Sequence, residues 1–201
     1  MRKRPQQQRA KMIVESILEG TQKCISEYGV LQLTTPKISE KSCVSVGSIY
    51  QYFGNKEGLF TAICDYRREV FFKDICLPYI CNVTNLRNYL VQTLQRFYQH
   101  IIQPKNIAFM RMFLEQSQNN TDLAHYLYNK CAMNIQNSVS LALEQAHHSG
   151  EIFCEKPQFS ATMYFGILRD VEWRILMGLD VPAEDKEIFD YIDFSVDLFL
   201  K

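Results

Sequence analysis

Along residues 8–28, apolar side chains fall at positions 13, 14, 17, 18, 24, 25 and 28, with Thr21 filling the gap in the stripe. That rhythm predicts an amphipathic helix, and Gly29 supplies its stop. Next, Ile38, Val44, Ile49 and Phe53 are spaced so that two short helices can close over one small core. Pro36 suits a first helical turn, where its missing N–H costs nothing. A residue preceding proline is pushed out of the α region, which makes Thr35 the expected N-cap and Thr34 the alternative. The stretch SCVSVG breaks the pattern. Ser45 is placed to cap a helix from about Val46 to Tyr52, and Asn55 to cap one opening at Lys56.

The same reading predicts helices over about 56–77, 86–102, 104–118, 121–149, 157–177 and 183–200, punctuated by Pro78, Pro104, Gly150, Pro157 and Pro182. No strand, repeat or low-complexity segment interrupts them. The fold expected is all-α, with about nine helices. The eighth is apolar almost all round, from Phe159 through Met163, Phe165, Leu168, Val171, Trp173 and Leu176. The ninth has an apolar arc of about 200°, counted at about 100° per residue. Opposite that arc, Lys186, Glu187, Asp190, Asp193, Asp197 and Lys201 cluster, with Phe194 the apolar exception. A helix packed on one neighbour needs only about 100° of apolar surface. This pair therefore needs burial on two sides, against a second copy or inside the protomer.

Candidate chemistry concentrates in VGSIYQY. Ile49 and Phe53 lie four apart and face inward, leaving Val46, Gly47, Ser48, Tyr50, Gln51 and Tyr52 to face something else. Glycine inside a helix costs roughly 1 kcal/mol relative to alanine, but it lets a backbone approach a partner closely. Small hydroxyl, amide and phenol groups suit phosphate and base-edge contacts. The plainer alternative is a surface helix of an ordinary bundle.

The ordered set Thr34-Thr35, Ile38-Ser39, Cys43-Val44-Ser45-Val46-Gly47, Ile49-Tyr50-Gln51-Tyr52-Phe53 and Lys56-Glu57-Gly58-Leu59 resembles the DNA-binding head of the TetR family of bacterial regulators. Ser39 and Ser42 stand where that family has alanine, and Cys43 where it has the glycine of the turn. A side chain at a positive φ there would be uncomfortable. The resemblance implies a three-helix helix-turn-helix head over 1–55 with a basic arm, and a helical ligand-binding and dimerisation domain over 56–201. It implies DNA contacts from Thr34, Thr35, Ser45, Val46, Gly47, Ser48, Tyr50, Gln51, Tyr52 and Lys56, with Arg4 from the arm. It also implies a dimer through a four-helix bundle of the last two helices, with Trp173, Ile188, Ile192, Val196 and Phe199 as candidates. A ligand pocket is implied in the body, with candidates Phe97, Phe109, Met110, Phe113, Tyr126, Met133, Phe165 and Arg169. Glu115, Asn134 and Asp170 are further polar anchors for a bulky apolar or aromatic effector. The expected partners are a palindromic double-stranded operator, a small-molecule effector and a second copy of the chain, with no cofactor and no membrane.

Charge supports this division. The formal net charge is zero, yet residues 1–73 carry 12 Lys and Arg against 7 Asp and Glu, and residues 74–201 carry 10 against 15. A basic head on an acidic body is the distribution expected of a DNA-binding module joined to something else. Arg2, Lys3, Arg4, Arg9 and Lys11 make an arm that either touches DNA or solubilises the chain. The N-terminus has no apolar signal core and no apolar run matches a membrane span, so a cytoplasmic location is expected. Seven cysteines without metal spacing read as thiols. Cys76 and Cys81, flanking Pro78, are the candidates for an alternative thiol-based redox regulator on the same scaffold. A non-DNA-binding helical enzyme is the remaining alternative. Against it, His147-His148 are adjacent and cannot converge on one metal as an i, i+4 pair can, and no nucleophile elbow, phosphate loop or paired-carboxylate motif is present. No catalytic or metal residue is expected.

Overall fold

The computed structural model describes residues 5–29, 32–75, 83–118, 121–129, 133–179 and 185–201, without the side chains of 5–6, 56–57, 68, 74–75, 83–85, 116, 123–124 and 127. Among these residues there are eleven helices and no strand. They are α1 (Pro5–Tyr28), α2 (Thr35–Ser42), α3 (Val46–Phe53), α4 (Lys56–Ile75), α5 (Val83–Ile101), α6 (Pro104–Ser117), α7 (Thr121–Leu127), α8 (Met133–His148), α9 (Pro157–Gly166), α10 (Arg169–Met177) and α11 (Asp185–Phe199). The all-helical class stands. Two of the expected helices are each represented by two: 121–149 by α7 and α8, and 157–177 by α9 and α10.

The chain forms two compact units, residues 1–69 with 104–124, and residues 70–103 with 125–201. In the first, α1 packs on α2 and on α6. Ile17, Leu18, Cys24 and Ile25 of α1 are buried, as are Ile38, Ile49, Leu59, Ile63 and Met112. Two hydroxyls share this apolar interior because each bonds one turn back along its own helix. Thr21 donates to the Ile17 carbonyl at 2.7 Å and Ser42 to that of Ile38 at 2.6 Å. That satisfies their polar atoms without a tertiary partner. Gly20 brings α1 unusually close to α2: a Cβ there would lie 2.7 Å from Ser42 Cβ and 2.8 Å from its backbone nitrogen. Arg67 of α4 is buried too; it donates to the Asn106 side chain and its guanidinium lies 5.2 Å from the centre of the Phe109 ring on α6.

In the second unit α5 packs on α8 and α11, and α8 on α9. Its core holds Leu90, Leu94, Val139, Leu143, Tyr164, Leu168, Ile192 and Val196. Tyr164 can be fully buried because its hydroxyl donates to the Leu90 carbonyl, and burial pushes that phenol well above its usual pKa. Arg87 of α5 clamps α11, donating to Asp197 at 2.6 and 3.1 Å and to Asp193 at 2.9 Å. The α9–α10 break follows Gly166, where a residue of low helix propensity weakens the turn. There the Ile167 N–H reaches only three residues back, to Tyr164, and the Ile167 carbonyl accepts a bond from the Tyr191 hydroxyl at 3.0 Å.

Candidate nucleic-acid interface

The N-cap of α2 is Thr34 (φ −126°, ψ 149°), whose carbonyl takes the first helical bond from Ile38 at 3.1 Å. Thr35, the expected cap, is already helical; the restriction before proline is weak enough for the first turn to override it. The Thr34 hydroxyl makes no capping bond. The Thr35 hydroxyl instead lies 3.3 Å from the Tyr50 hydroxyl, tying the start of α2 to the outer side of α3.

The turn between these helices is made at Cys43, which adopts φ 55°, ψ 31°; its N–H donates to the Glu40 carbonyl and the Val44 N–H to that of Ser39, closing α2. Among the described residues it is the only non-glycine with positive φ. The left-handed geometry of the turn therefore persists without its glycine, at a strain of roughly 1–2 kcal/mol. Ser45 then caps α3, its Oγ accepting from the Ser48 N–H at 3.2 Å. Gly54 ends that helix at φ 74°. Asn55 accepts from the Gly58 N–H at 2.7 Å and so caps α4. A side chain at Gly58 is excluded, since its Cβ would fall 2.1 Å from the Phe53 carbonyl oxygen.

Within α3 only Ile49 is buried; Tyr50 and Tyr52 are 49% and 38% exposed. Gly47 and Gln51 are exposed, while Val46, Ser48 and Phe53 are half-buried. A helix of eight residues that buries so little and is pinned at both ends by caps is a presented surface. The two lysines of α2 are turned toward the end of α1. Lys41 pairs with Glu27 of α1 at 2.6 Å, which lowers the Glu27 carboxyl pKa and raises that of the lysine. The Lys37 ammonium stands 4.4 Å over the Tyr28 ring. Arg4 and the Lys56 side chain lie outside the described residues, as do Cys76 and Cys81.

The candidates for a pocket fall in both units. Phe109, Met110 and Phe113 sit half-buried on α6 in the first unit, with Phe109 covered by Arg67. Phe97, Tyr126, Met133, Phe165 and Arg169 belong to the second. There Phe97 meets Phe165 edge-on at 5.7 Å and Phe71 at 6.1 Å, and Phe71 meets His100 at 4.8 Å. Arg169 is exposed and bonds Glu172 at 2.9 Å; Glu115 and Asp170 are also exposed, and Asn134 is half-buried.

For the dimer candidates the structure makes a correction. Ile188, Ile192 and Val196 are 3%, 0% and 0% exposed within a single chain, so they belong to its own core and cannot meet a partner. Phe199 is half-buried and its ring lies 5.7 Å from that of Tyr164. Trp173 is half-exposed and does fit an outward face. With it go Phe159 and Met163 of α9, Met177 of α10, and Phe194 and Leu198 of α11, all more than half exposed. Phe159, Met163 and Phe194 are legible in the sequence as apolar but not as exposed, because the last helices are apolar on several sides. The usable signal was Phe194, an apolar residue on a charged side.

Two family models match the chain. One describes bacterial regulatory proteins of the tetR family and covers residues 17–63. The other describes the C-terminal domain of AefR-like transcriptional repressors and covers residues 88–201. The repressor AcnR of Corynebacterium glutamicum is 39% identical over 49 residues, which span 24% of this chain and 26% of AcnR. A TetR-family regulator from Mesorhizobium loti is similar in fold, with a TM-score of 0.81, 17% identity and 96% of each chain covered. The flavonoid-responsive regulator FrrA is similar at a TM-score of 0.75, 21% identity, and 94% of this chain and 95% of that one covered.

Proposed function

Because the chain belongs to the TetR family of bacterial transcriptional regulators, with an AefR-like C-terminal domain, we propose that it is a ligand-released repressor of a palindromic operator. Members of this family are transcription factors that bind DNA and small-molecule effectors as dimers. The observation that carries the reading is α3, which buries only Ile49 and turns Gly47, Tyr50, Gln51 and Tyr52 outward between two capped ends. In this reading residues 1–55 hold the operator and residues 56–201 sense and dimerise. Thr34, Thr35, Tyr50, Tyr52 and Lys56 grip phosphates, and the outward side of α3 enters the major groove. The exposed apolar residues of α9, α10 and α11 bury against their twofold copies, which sets two heads on two half-sites.

The effector is a bulky aromatic molecule. Supporting this are the ring cluster of Phe71, Phe97, His100 and Phe165 and the likeness to FrrA, whose name records a flavonoid response. The ligand acts through α4, which contributes residues to both units. To release DNA it must bind the non-binding arrangement more tightly, typically by about 1–3 kcal/mol. No helix among the described residues is long and apolar enough to cross a membrane.

The test is selection of random duplexes by the purified chain. The expected product is an inverted repeat whose half-site centres lie about one helical turn, or a multiple of it, apart. Placed over a promoter, that sequence should lower transcription in the protein's presence, and flavonoids or similar planar aromatics should restore it. Selection of no duplex would refute DNA binding; a rise in transcription would refute repression.

A further inference from the structure

The eight residues of α3, VGSIYQYF, carry no charge. Turning about 100° per residue, Gly47 and Gln51 lie about 160° and 200° round from the buried Ile49. They therefore share the face opposite the head's core, one turn apart, and both are exposed. Their neighbours on either flank are engaged: Ser48 Oγ lies 2.9 Å from Ser45 Oγ, and the Tyr50 hydroxyl 3.3 Å from that of Thr35. Val46 and Tyr52 lie only about 60° to either side of Ile49, off the helix's outermost line. A Cβ on Gly47 would have just Ser45 Oγ, at 4.0 Å, as a neighbour. No internal crowding demands a glycine there, and its effect is to open a notch on the outermost line of the helix beside Gln51.

We propose that Gln51 is the specificity-determining residue of the head and that it selects an A·T pair in each half-site, reading the adenine. This rests on the DNA-reading assignment made above. In the major groove guanine presents two acceptors, O6 and N7, matched best by the paired donors of arginine or by lysine; α3 has neither. Adenine presents the N6 amino donor beside the N7 acceptor. The Gln51 carboxamide matches it, its oxygen accepting from N6–H while its NH2 donates to N7. The notch at Gly47 lets the helix backbone come close enough for this short-armed contact.

Selection from random duplexes with the full chain tests this, run in parallel for the wild type, Gln51→Ala and Gln51→Arg. The wild type should enrich an inverted repeat. Gln51→Ala should lose discrimination at one symmetry-related position, on the order of ten- to a hundredfold, and that position should be adenine in the wild type. Gln51→Arg should change the preference there to guanine. An unchanged motif in Gln51→Ala, or a Gln51-dependent position that is G·C in the wild type, would overturn the assignment while leaving DNA binding intact. If no duplex is enriched by the wild type, both this assignment and the DNA-reading role fall together.

Discussion

The same substitution at two glycines should move stability in opposite directions. In Gly20→Ala the new methyl carbon would lie 2.7 Å from Ser42 Cβ, 2.8 Å from its nitrogen and 2.9 Å from its Cα. Ordinary contact is above about 3.4 Å, and two of the three atoms are backbone, so no side-chain rotation relieves the clash. Helices α1 and α2 must part by several tenths of an ångström. Overpacking of this kind costs about 1–3 kcal/mol, against a helix-propensity gain of about 0.5–1 kcal/mol. The net loss is up to about 2.5 kcal/mol, or a fall in melting temperature of up to about 10 °C for a chain of this size. In Gly47→Ala nothing but Ser45 Oγ, at 4.0 Å, is near, so only the propensity gain remains. The midpoint should rise by about 1–4 °C, while operator affinity should fall as the notch proposed to face DNA is filled. Far-ultraviolet circular dichroism reads the melts, and amide exchange along α1 and α2 locates the loss. A Gly20→Ala protein that melts at or above the wild type would refute the close α1–α2 crossing. If Gly47→Ala melted lower yet bound the selected operator normally, Gly47 would serve the turn and not the approach to DNA.

Cys43→Gly should raise stability by about 0.5–1 kcal/mol, the left-handed strain relieved less the added freedom of the unfolded chain; urea midpoints measure it, and a decrease would mean the thiol contributes more than its backbone costs. Met163→Asp, on an exposed position, should give a monomer with unchanged helix content by light scattering and dichroism. Ile192→Asp should instead prevent folding, because it places an unpaired charge at a position with no solvent exposure at a cost of several kcal/mol. A soluble, folded Ile192→Asp monomer would reverse the correction made to the dimer face. Arg87 holds the Asp197 carboxyl below its usual pKa, so their pairing is complete above the ordinary aspartate value of about 3.9 and is lost as pH falls through the lowered one. Stability in urea should therefore drop less on acidification in Asp197→Asn than in the wild type, and by less still in high salt.

What the chain determines alone is whatever a single helical turn can settle. Ser45 caps α3 and Asn55 caps α4 because a side-chain oxygen two or three residues ahead of an open N–H needs no distant partner. Gly29 and Gly150 end their helices at φ 70° and 76° for an equally local reason. Thr21 could be placed in an apolar stripe because its hydroxyl bonds back to Ile17. Together with the ordered motif at 34–59, such signals made the helical class and the DNA-reading head legible.

Tertiary packing decided what local signals leave balanced. Cys43 reaches the left-handed region because α2 and α3 must both bury their apolar sides, and that outweighs the preference of one residue. The close approach of Gly20 to Ser42 of α2 has no local signature in α1 at all. On α11, apolar residues cover too much of the circumference for periodicity to say which side is inner. Packing on α5, with Arg87 reaching Asp193 and Asp197 from that helix, turns Ile188, Ile192 and Val196 inward and leaves Phe194 and Leu198 outward. The pattern of the sequence specifies how much surface must be buried, and only the neighbouring helices determine which side meets them.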